Sequence, residues 1–263
     1  MMQKSRRWMV AGDLFWIQLI WSLWAVLIVG AIYIVRTVFA VRAGEGVEDF
    51  LAFTFGSAKS YMLIIGIIGT YHFIKFYISH GVTRKEYYQG AVIGVAALAL
   101  VLAGIVGLLS GLEHAVFRLF DLSDMLHNYA SADAVKQEGN VILALLPATL
   151  LGESIFGASA NWIVALLVYA AVTFIYYLAG WLIGAGYRRF GGMLGTLLTL
   201  LTIYVMVGLS ALWGDTILKP LSYLIPWSTG NLPIAVSIAG TLLLIALMLW
   251  LIQVMTRRVV VKM

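Results

Sequence analysis

Long apolar runs separated by short polar segments make up most of the chain. Six of these runs have the roughly 20 residues that an α-helix needs to cross the hydrocarbon of a bilayer, and none alternates polar and apolar residues as a membrane β-strand does. Only the second run contains a charged residue, Lys75, which lies near one end. The pattern predicts six membrane-spanning helices, at 14–35, 60–78, 91–110, 162–183, 193–213 and 234–255.

The composition agrees with a membrane protein and excludes a soluble one. Of 263 residues, 62% are hydrophobic and only 11% are charged, whereas soluble domains carry about 25% charged residues. A soluble chain of this length could not cover its surface with so few polar side chains. The predicted fold class is therefore an all-α integral membrane protein, with residues 1–263 forming a single membrane domain.

The distribution of charge predicts the orientation of the spans. Six crossings place both chain ends on one side, and that side collects eleven Lys and Arg against two Asp and Glu. The opposite side has six basic and ten acidic residues. Because cytoplasmic loops are enriched in Lys and Arg, we expect cytoplasmic N- and C-termini. The net charge of +5 is then a consequence of topology, and we expect no nucleic-acid partner.

Two outer segments are longer than simple connections. Residues 111–161 begin with a helical amphipathic pattern, and 141–151 is an apolar run too short to cross, so we expect an interfacial or re-entrant helix there. This segment could be a lid packed on the spans or a substrate exit gate. Residues 214–233 carry three of the four prolines, which break helices. This predicts two short re-entrant half-helices.

Motifs for chemistry within this chain are missing. The sequence contains no G-x-x-x-x-G-K-[ST], no H-E-x-x-H and no G-x-S-x-G, and its four histidines have no ligand spacing. Cysteine is absent, which excludes disulfides and thiolate sites. No predicted span contains Asp or Glu, which argues against proton-coupled transport. We therefore expect no enzymatic activity, no metal and no cofactor in this chain.

Three small-residue pairs indicate where helices approach one another closely. They are Gly90-x-x-x-Gly94, Gly107-x-x-x-Gly111 and Gly191-x-x-x-Gly195. Glycine lets two helix backbones come into contact, and such pairs are common in membrane spans. Ordinary helix packing is the favoured interpretation of all three.

The stretch SHGVTRKEYYQG, residues 79–90, is among the most polar in the chain. Gly81 suits the end of the second span, and Thr83 with Glu86 three residues later has the spacing of a capping box. This predicts a short capped helix start with a charged and aromatic tip, Arg84 and Lys85 followed by Tyr87 and Tyr88. The stretch is either a basic cytoplasmic turn or a projecting helix start that docks into a pocket of a partner protein.

This stretch resembles the cytoplasmic loop of the permease subunits of bacterial ABC exporters of the second, six-span class. The pattern G-x-[ST]-R-[KR]-x-[FYW] follows the second span in that family. The layout is also similar: six spans, a basic turn YRRFGG after the fourth, and a Pro-rich outer loop before the sixth. Small exporters of amphipathic peptides, such as the phenol-soluble modulin exporters, look most similar.

The resemblance implies the partners and the residues that contact them. Such permeases are similar to half-transporters, in which two identical or related permease chains pair with two separate ABC ATPase subunits that bind ATP and magnesium. The chain would reside in the plasma membrane of a bacterium, among membrane lipids. The implied ATPase contacts form two segments: Gly81, Val82, Thr83, Arg84, Lys85, Glu86, Tyr87 and Tyr88, then Tyr187, Arg188, Arg189 and Phe190.

The expected function is export of a hydrophobic or amphipathic substrate such as a peptide, a lipid or a drug-like molecule. Spans without charges favour this substrate class, because polar solutes need hydrogen-bonding or charged walls. Two alternatives remain open at this stage. One is an ATP-independent carrier or channel, and the other is a membrane anchor or sensor subunit that transports nothing.

Overall fold

The computed structural model describes residues 6–120, 122, 126–127, 162–212 and 234–257. Within this part of the chain, five helices are long and apolar enough to cross a membrane, which confirms the all-α membrane class. The predicted interfacial or re-entrant helix at 141–151, the two half-helices predicted within 214–233 and most of the outer segment 111–161 lie outside the described residues. The elements are α1 Arg6–Ala43, β1 Val47–Glu48, α2 Phe50–Ser79, α3 Arg84–Leu119, β2 Leu126–His127, α4 Trp162–Leu212 and α5 Ile234–Arg257.

The helices extend beyond the predicted spans. Helix α1 has 38 residues and is therefore about 57 Å long at 1.5 Å per residue, while the hydrocarbon is about 30 Å thick. Helix α2 begins at Phe50, so Lys59 lies inside the helix and not in a loop before it. Its side chain is buried, with Nζ 3.9 Å from the centre of the Phe55 ring. The sequence pattern missed this buried cation because Lys59 interrupts the apolar run.

Helix α4 consists of two arms that meet at Gly191. This glycine has φ 77° and ψ −168°, a conformation that side chains with a Cβ rarely adopt. The Tyr187 and Thr196 hydroxyl oxygens lie 3.2 Å apart across the break, and the side chain of Leu198 contacts Gly186. Residues twelve apart in a straight helix are about 18 Å apart along the axis. The arms therefore fold back on each other as a hairpin, and the break at Gly191 lies between the predicted segments 162–183 and 193–213.

Helices α1 and α3 pack side by side in the same direction. A Cβ added to Gly90 would lie 2.6 Å from the Arg7 carbonyl oxygen, and one added to Gly94 would lie 2.7 Å from the Ala11 carbonyl oxygen. These distances are far below normal van der Waals contact, so only glycine permits the approach. The prediction of close packing at this glycine pair is confirmed.

A second close contact joins α2 to the first arm of α4. A Cβ added to Gly66 would overlap the Tyr177 carbonyl oxygen, and one added to Gly180 would overlap the Leu63 carbonyl oxygen. The core around this crossing is apolar and aromatic. Its fully buried side chains include Met62, Ile74, Leu98, Ile175, Leu178 and Ile252.

Large apolar side chains also cover the outside of the bundle. On α1 alone, Trp16, Trp24, Leu27 and Phe39 are each more than 60% exposed. A monomeric soluble protein rarely exposes contiguous apolar surface on this scale. Lipid is the solvent that this surface fits.

We expect Gly94→Ala to destabilise the protein by about 1–3 kcal/mol, because the added methyl group collides with the backbone of α1. The matched control is Gly104→Ala, ten residues further along α3, where an added Cβ meets no atom within 4 Å. Alanine has the higher helix propensity, so this variant should be neutral or slightly more stable. Thermal or denaturant unfolding in detergent tests both. Equal effects of the two variants would contradict the packing described here.

Candidate partner-docking site at the basic end of the bundle

The turn between α2 and α3 is closed by local hydrogen bonds. Gly81 has φ 78°, and the Val82 N–H donates to the Tyr77 carbonyl at 3.0 Å. The Glu86 N–H donates to Thr83 Oγ1 at 3.2 Å, and the Thr83 N–H donates to Glu86 Oε2 at 3.0 Å. The predicted capping box is thereby confirmed. The hydrogen bonds from Thr83 lower the pKa of the Glu86 carboxyl.

The two tyrosines after the capping box do not form an exposed tip. Tyr87 is 2% exposed, and its ring lies 5.8 Å from that of Tyr77 and 6.2 Å from that of Trp181. Tyr88 is half-buried and donates to the Leu249 carbonyl at 2.9 Å. The expectation of an aromatic tip is wrong for Tyr87, because this residue begins the inward face of α3.

The remaining residues of the first predicted contact segment divide into buried and accessible ones. Val82 is buried, while Gly81, Thr83 and Lys85 are exposed. Arg84 and Glu86 are partly exposed. The surface available to a partner at this turn is therefore small, polar and basic.

Two arginines from different segments bind the same helix end. Arg84 Nη1 donates to the Arg257 carbonyl at 2.9 Å, and Arg189 Nη1 donates to the Val254 carbonyl at 3.5 Å. The last carbonyl groups of a helix lack partners within the helix and carry its negative dipole end, so cations are favoured there. The start of α3 and the turn of α4 are thus joined through the last turn of α5.

Two further arginines extend these contacts to the other helices. Arg6 Nη1 donates to the Gly81 carbonyl, which attaches the start of α1 to the turn after α2. Arg188 Nη1 donates to the Thr70 carbonyl at 2.9 Å, which attaches the turn of α4 to α2. The described ends of the chain, Arg6 and Arg257, consequently lie at the same end of the bundle.

The second predicted contact segment lies at this basic end. Arg188 and Arg189 make the backbone contacts just described, and the Arg189 guanidinium lies 4.9 Å from the centre of the Phe190 ring. Phe190 is 41% exposed, and Tyr187 is partly exposed. The structure therefore brings the two predicted segments together, although they lie about a hundred residues apart in the sequence.

The opposite end of the bundle holds a polar cluster that the sequence did not reveal. Glu113 of α3 accepts hydrogen bonds from the Tyr33 hydroxyl and from the Phe50 N–H, the latter at 2.9 Å. Asp49, the residue before α2, accepts from Ser110 Oγ at 2.8 Å. Burial raises the pKa of the Glu113 carboxyl to about 7, and the Asp49 charge adds to the rise. These residues come from separate helices, so no spacing in the sequence relates them.

An apolar cavity lies within the bundle between these two ends. Helices α1, α2 and α3 form its walls, and the first arm of α4 contributes Tyr169. Hydroxyl groups of Ser22 and Tyr61, 3.0 Å apart, are among its few polar atoms. The cavity offers apolar contacts and a small number of hydrogen-bonding groups, and no charged side chain lines it.

The chain matches no protein-family model, no curated protein and no solved structure.

We expect Thr83→Ala to lower stability by about 1 kcal/mol, since it removes the side-chain acceptor for the Glu86 N–H at the start of α3. Thr83→Ser keeps that hydroxyl and should retain nearly the full stability. Unfolding of both variants in detergent measures the difference. An alanine variant as stable as the serine variant would show that the capping box does not contribute.

Proposed function

We propose that the chain is the membrane-spanning permease subunit of an ATP-driven exporter of the ABC type. The observation that carries the proposal is the capped start of α3, which places Thr83 and Lys85 at the surface of the basic end beside the turn of α4. The family resemblance assigns both of these segments to the contact with the ATPase. With no P-loop in the sequence, the ATP and magnesium belong on that partner subunit.

The membrane topology is part of the same proposal. Counting the arms of α4 separately gives six crossing segments with both chain ends on one side, and the basic end is assigned to the cytoplasm by its arginines. The membrane is the plasma membrane of a bacterium. A second permease chain, identical or related, completes the transporter.

The contacts at the basic end offer a route for mechanical coupling. A push on the exposed turn at Lys85 moves the start of α3, which is bound to α5 through Arg84. The same α5 turn is bound to the hairpin of α4 through Arg189. Movement of one docking segment is therefore transmitted to the other, and closure of the ATPases would rock the spans together.

The uncharged walls of the internal cavity agree with a hydrophobic or amphipathic substrate. Its volume is about 40 Å³, far below the roughly 300–1,000 Å³ of a ligand pocket, so the spans must separate before such a molecule enters. The cavity lining is mainly apolar, with hydroxyl groups from Ser22, Ser57 and Tyr61 and no charge. A polar or ionic solute needs hydrogen-bonding or charged walls to replace its hydration shell. A peptide, lipid or drug-like molecule with a large apolar surface needs mainly dispersion contacts, which these walls supply.

The test uses Lys85, because it is exposed and makes no described contact within the chain. The tagged protein is co-expressed with candidate P-loop ATPases of the ABC type from the same organism and extracted in detergent. We expect a stable complex whose affinity falls at least tenfold with Lys85→Glu, since a reversed charge at a docking surface places like charges together. Lys85→Arg keeps the charge and should bind as the unaltered protein does.

Two outcomes would overturn the proposal. One is the absence of a complex with any P-loop ATPase, and the other is a complex that Lys85→Glu leaves unchanged. Movement of substrate by the purified chain in vesicles without ATP would favour a carrier. Arg84→Ala is less informative, because it also removes the hydrogen bond to the last turn of α5.

A further inference from the structure

Two apolar spaces follow one another along the seam between α1 and α3. The internal cavity is lined on α1 by Val26 and Val29 and on α3 by Leu102 and Val106. The end of the bundle that holds Asp49 and Glu113 is called the acidic end. A groove nearer this end is lined on the same two helices by Thr37, Val38, Val41, Arg42, Val116 and Phe117. Because the helices run in the same direction, the residues that line the cavity precede those that line the groove on both of them.

Tyr33 and Glu113 occupy the seam between these two spaces. Tyr33 lies one helical turn after Val29 of the cavity and one turn before Thr37 of the groove. Glu113 lies one turn before Phe117 of the groove. The Tyr33 hydroxyl donates to the Glu113 carboxylate directly across the seam. On both helices, the residues of this hydrogen bond lie between those that line the cavity and those that line the groove.

The Tyr33–Glu113 contact is also attached to α2. The Phe50 N–H donates to Glu113 Oε2 at 2.9 Å, and the Tyr33 hydroxyl lies 2.7 Å from the Glu48 carbonyl oxygen. A carboxylate oxygen of Asp49, a carboxylate oxygen of Glu113 and a ring nitrogen of His114 lie within 4.8 Å of one another. Beside them, Arg36 Nη1 and Glu48 Oε2 form an ion pair at 3.1 Å.

The charge balance of this cluster depends on one proton. Glu113 is half-buried and faces Asp49, and burial raises its pKa to about 7; the hydrogen bonds from Tyr33 and the Phe50 N–H oppose this rise, and the Asp49 charge adds to it. A carboxyl with a raised pKa is protonated more readily in the folded state, so the cluster is favoured at low pH and weakens as pH rises through 7. His114 Nδ1 lies 4.0 Å from Asp49 Oδ1.

We propose that Glu113 is a proton-operated latch on the seam between α1 and α3. When protonated, Glu113 donates a hydrogen bond to the Tyr33 hydroxyl oxygen, and the Tyr33 hydroxyl donates to the Glu48 carbonyl oxygen. The Phe50 N–H donates to Glu113, so α1, α2 and α3 are joined at the acidic end. When ionised, Glu113 and Asp49 repel each other, α3 moves away from the start of α2, and the seam opens. The latch itself is independent of the proposed function, whereas its use as a substrate exit depends on that function.

The test measures the width of the seam directly. The chain contains no cysteine, so Val38→Cys and Val116→Cys introduce the two positions for spin labels, one on each wall of the groove. The labelled full-length chain is placed in lipid nanodiscs, without ATPase or substrate, in buffers containing EDTA from pH 5.5 to 8.5. We expect a short label-to-label distance at pH 5.5 and a longer one at pH 8.5, with a one-proton transition near pH 7.

Three variants identify the group that titrates. Glu113→Gln cannot ionise and should keep the short distance at every pH. Asp49→Asn removes the neighbouring charge and should shift the transition to lower pH. The matched control is Glu45→Gln, which removes an exposed carboxylate near the same end and should leave the transition in place.

The outcomes are separable from those of the docking experiment. A constant distance across the pH range, or an unchanged transition in Glu113→Gln, would overturn the latch without affecting the proposed exporter. If Glu113→Gln does not fold, the shift expected of Asp49→Asn provides the same test. An Asp49→Asn variant with an unshifted transition would then reject the proposal.

Discussion

Hydrogen bonds from arginine side chains to backbone carbonyls hold the basic end of the bundle together. The last carbonyls of a helix have no partner in their own helix. Here Arg84 and Arg189 donate to carbonyls in the last turn of α5, and Arg6 donates to the Gly81 carbonyl. The same contacts that satisfy these helix ends also hold together segments that are distant in the sequence.

The parallel pair α1 and α3 joins the two ends of the bundle. At the basic end the helices touch through backbone atoms, because Gly90 and Gly94 have no side chains to separate them. At the acidic end they touch through the Tyr33–Glu113 hydrogen bond. A glycine contact is apolar and independent of pH, whereas a carboxyl contact depends on protonation. The contact between α1 and α3 is therefore independent of pH at the basic end and dependent on pH at the acidic end.

The features that the sequence predicted correctly are those set by local chemistry. A long apolar run specifies a membrane helix, and T-x-x-E after Gly81 specifies a capped helix start, because each depends on residues close together in the chain. The inward orientation of Tyr87 depends on which face of α3 meets the other helices. The contact of Asp49 with Glu113 depends on how α2 packs against α3. Neither can be read from spacing, since tertiary packing determines both.

The two ends of the bundle differ in how they respond to conditions, and this difference follows from their donors and acceptors. Arginine remains protonated at every physiological pH, and a carbonyl oxygen does not titrate, so the contacts at the basic end persist. Salt weakens them little where the guanidinium is partly buried. The acidic end depends on two neighbouring carboxyl groups. They repel each other when both are ionised, and protonation of one of them removes this repulsion. A force applied at the constant basic end would thus reach, along α1 and α3, a seam whose resistance to opening is set by the protonation of Glu113.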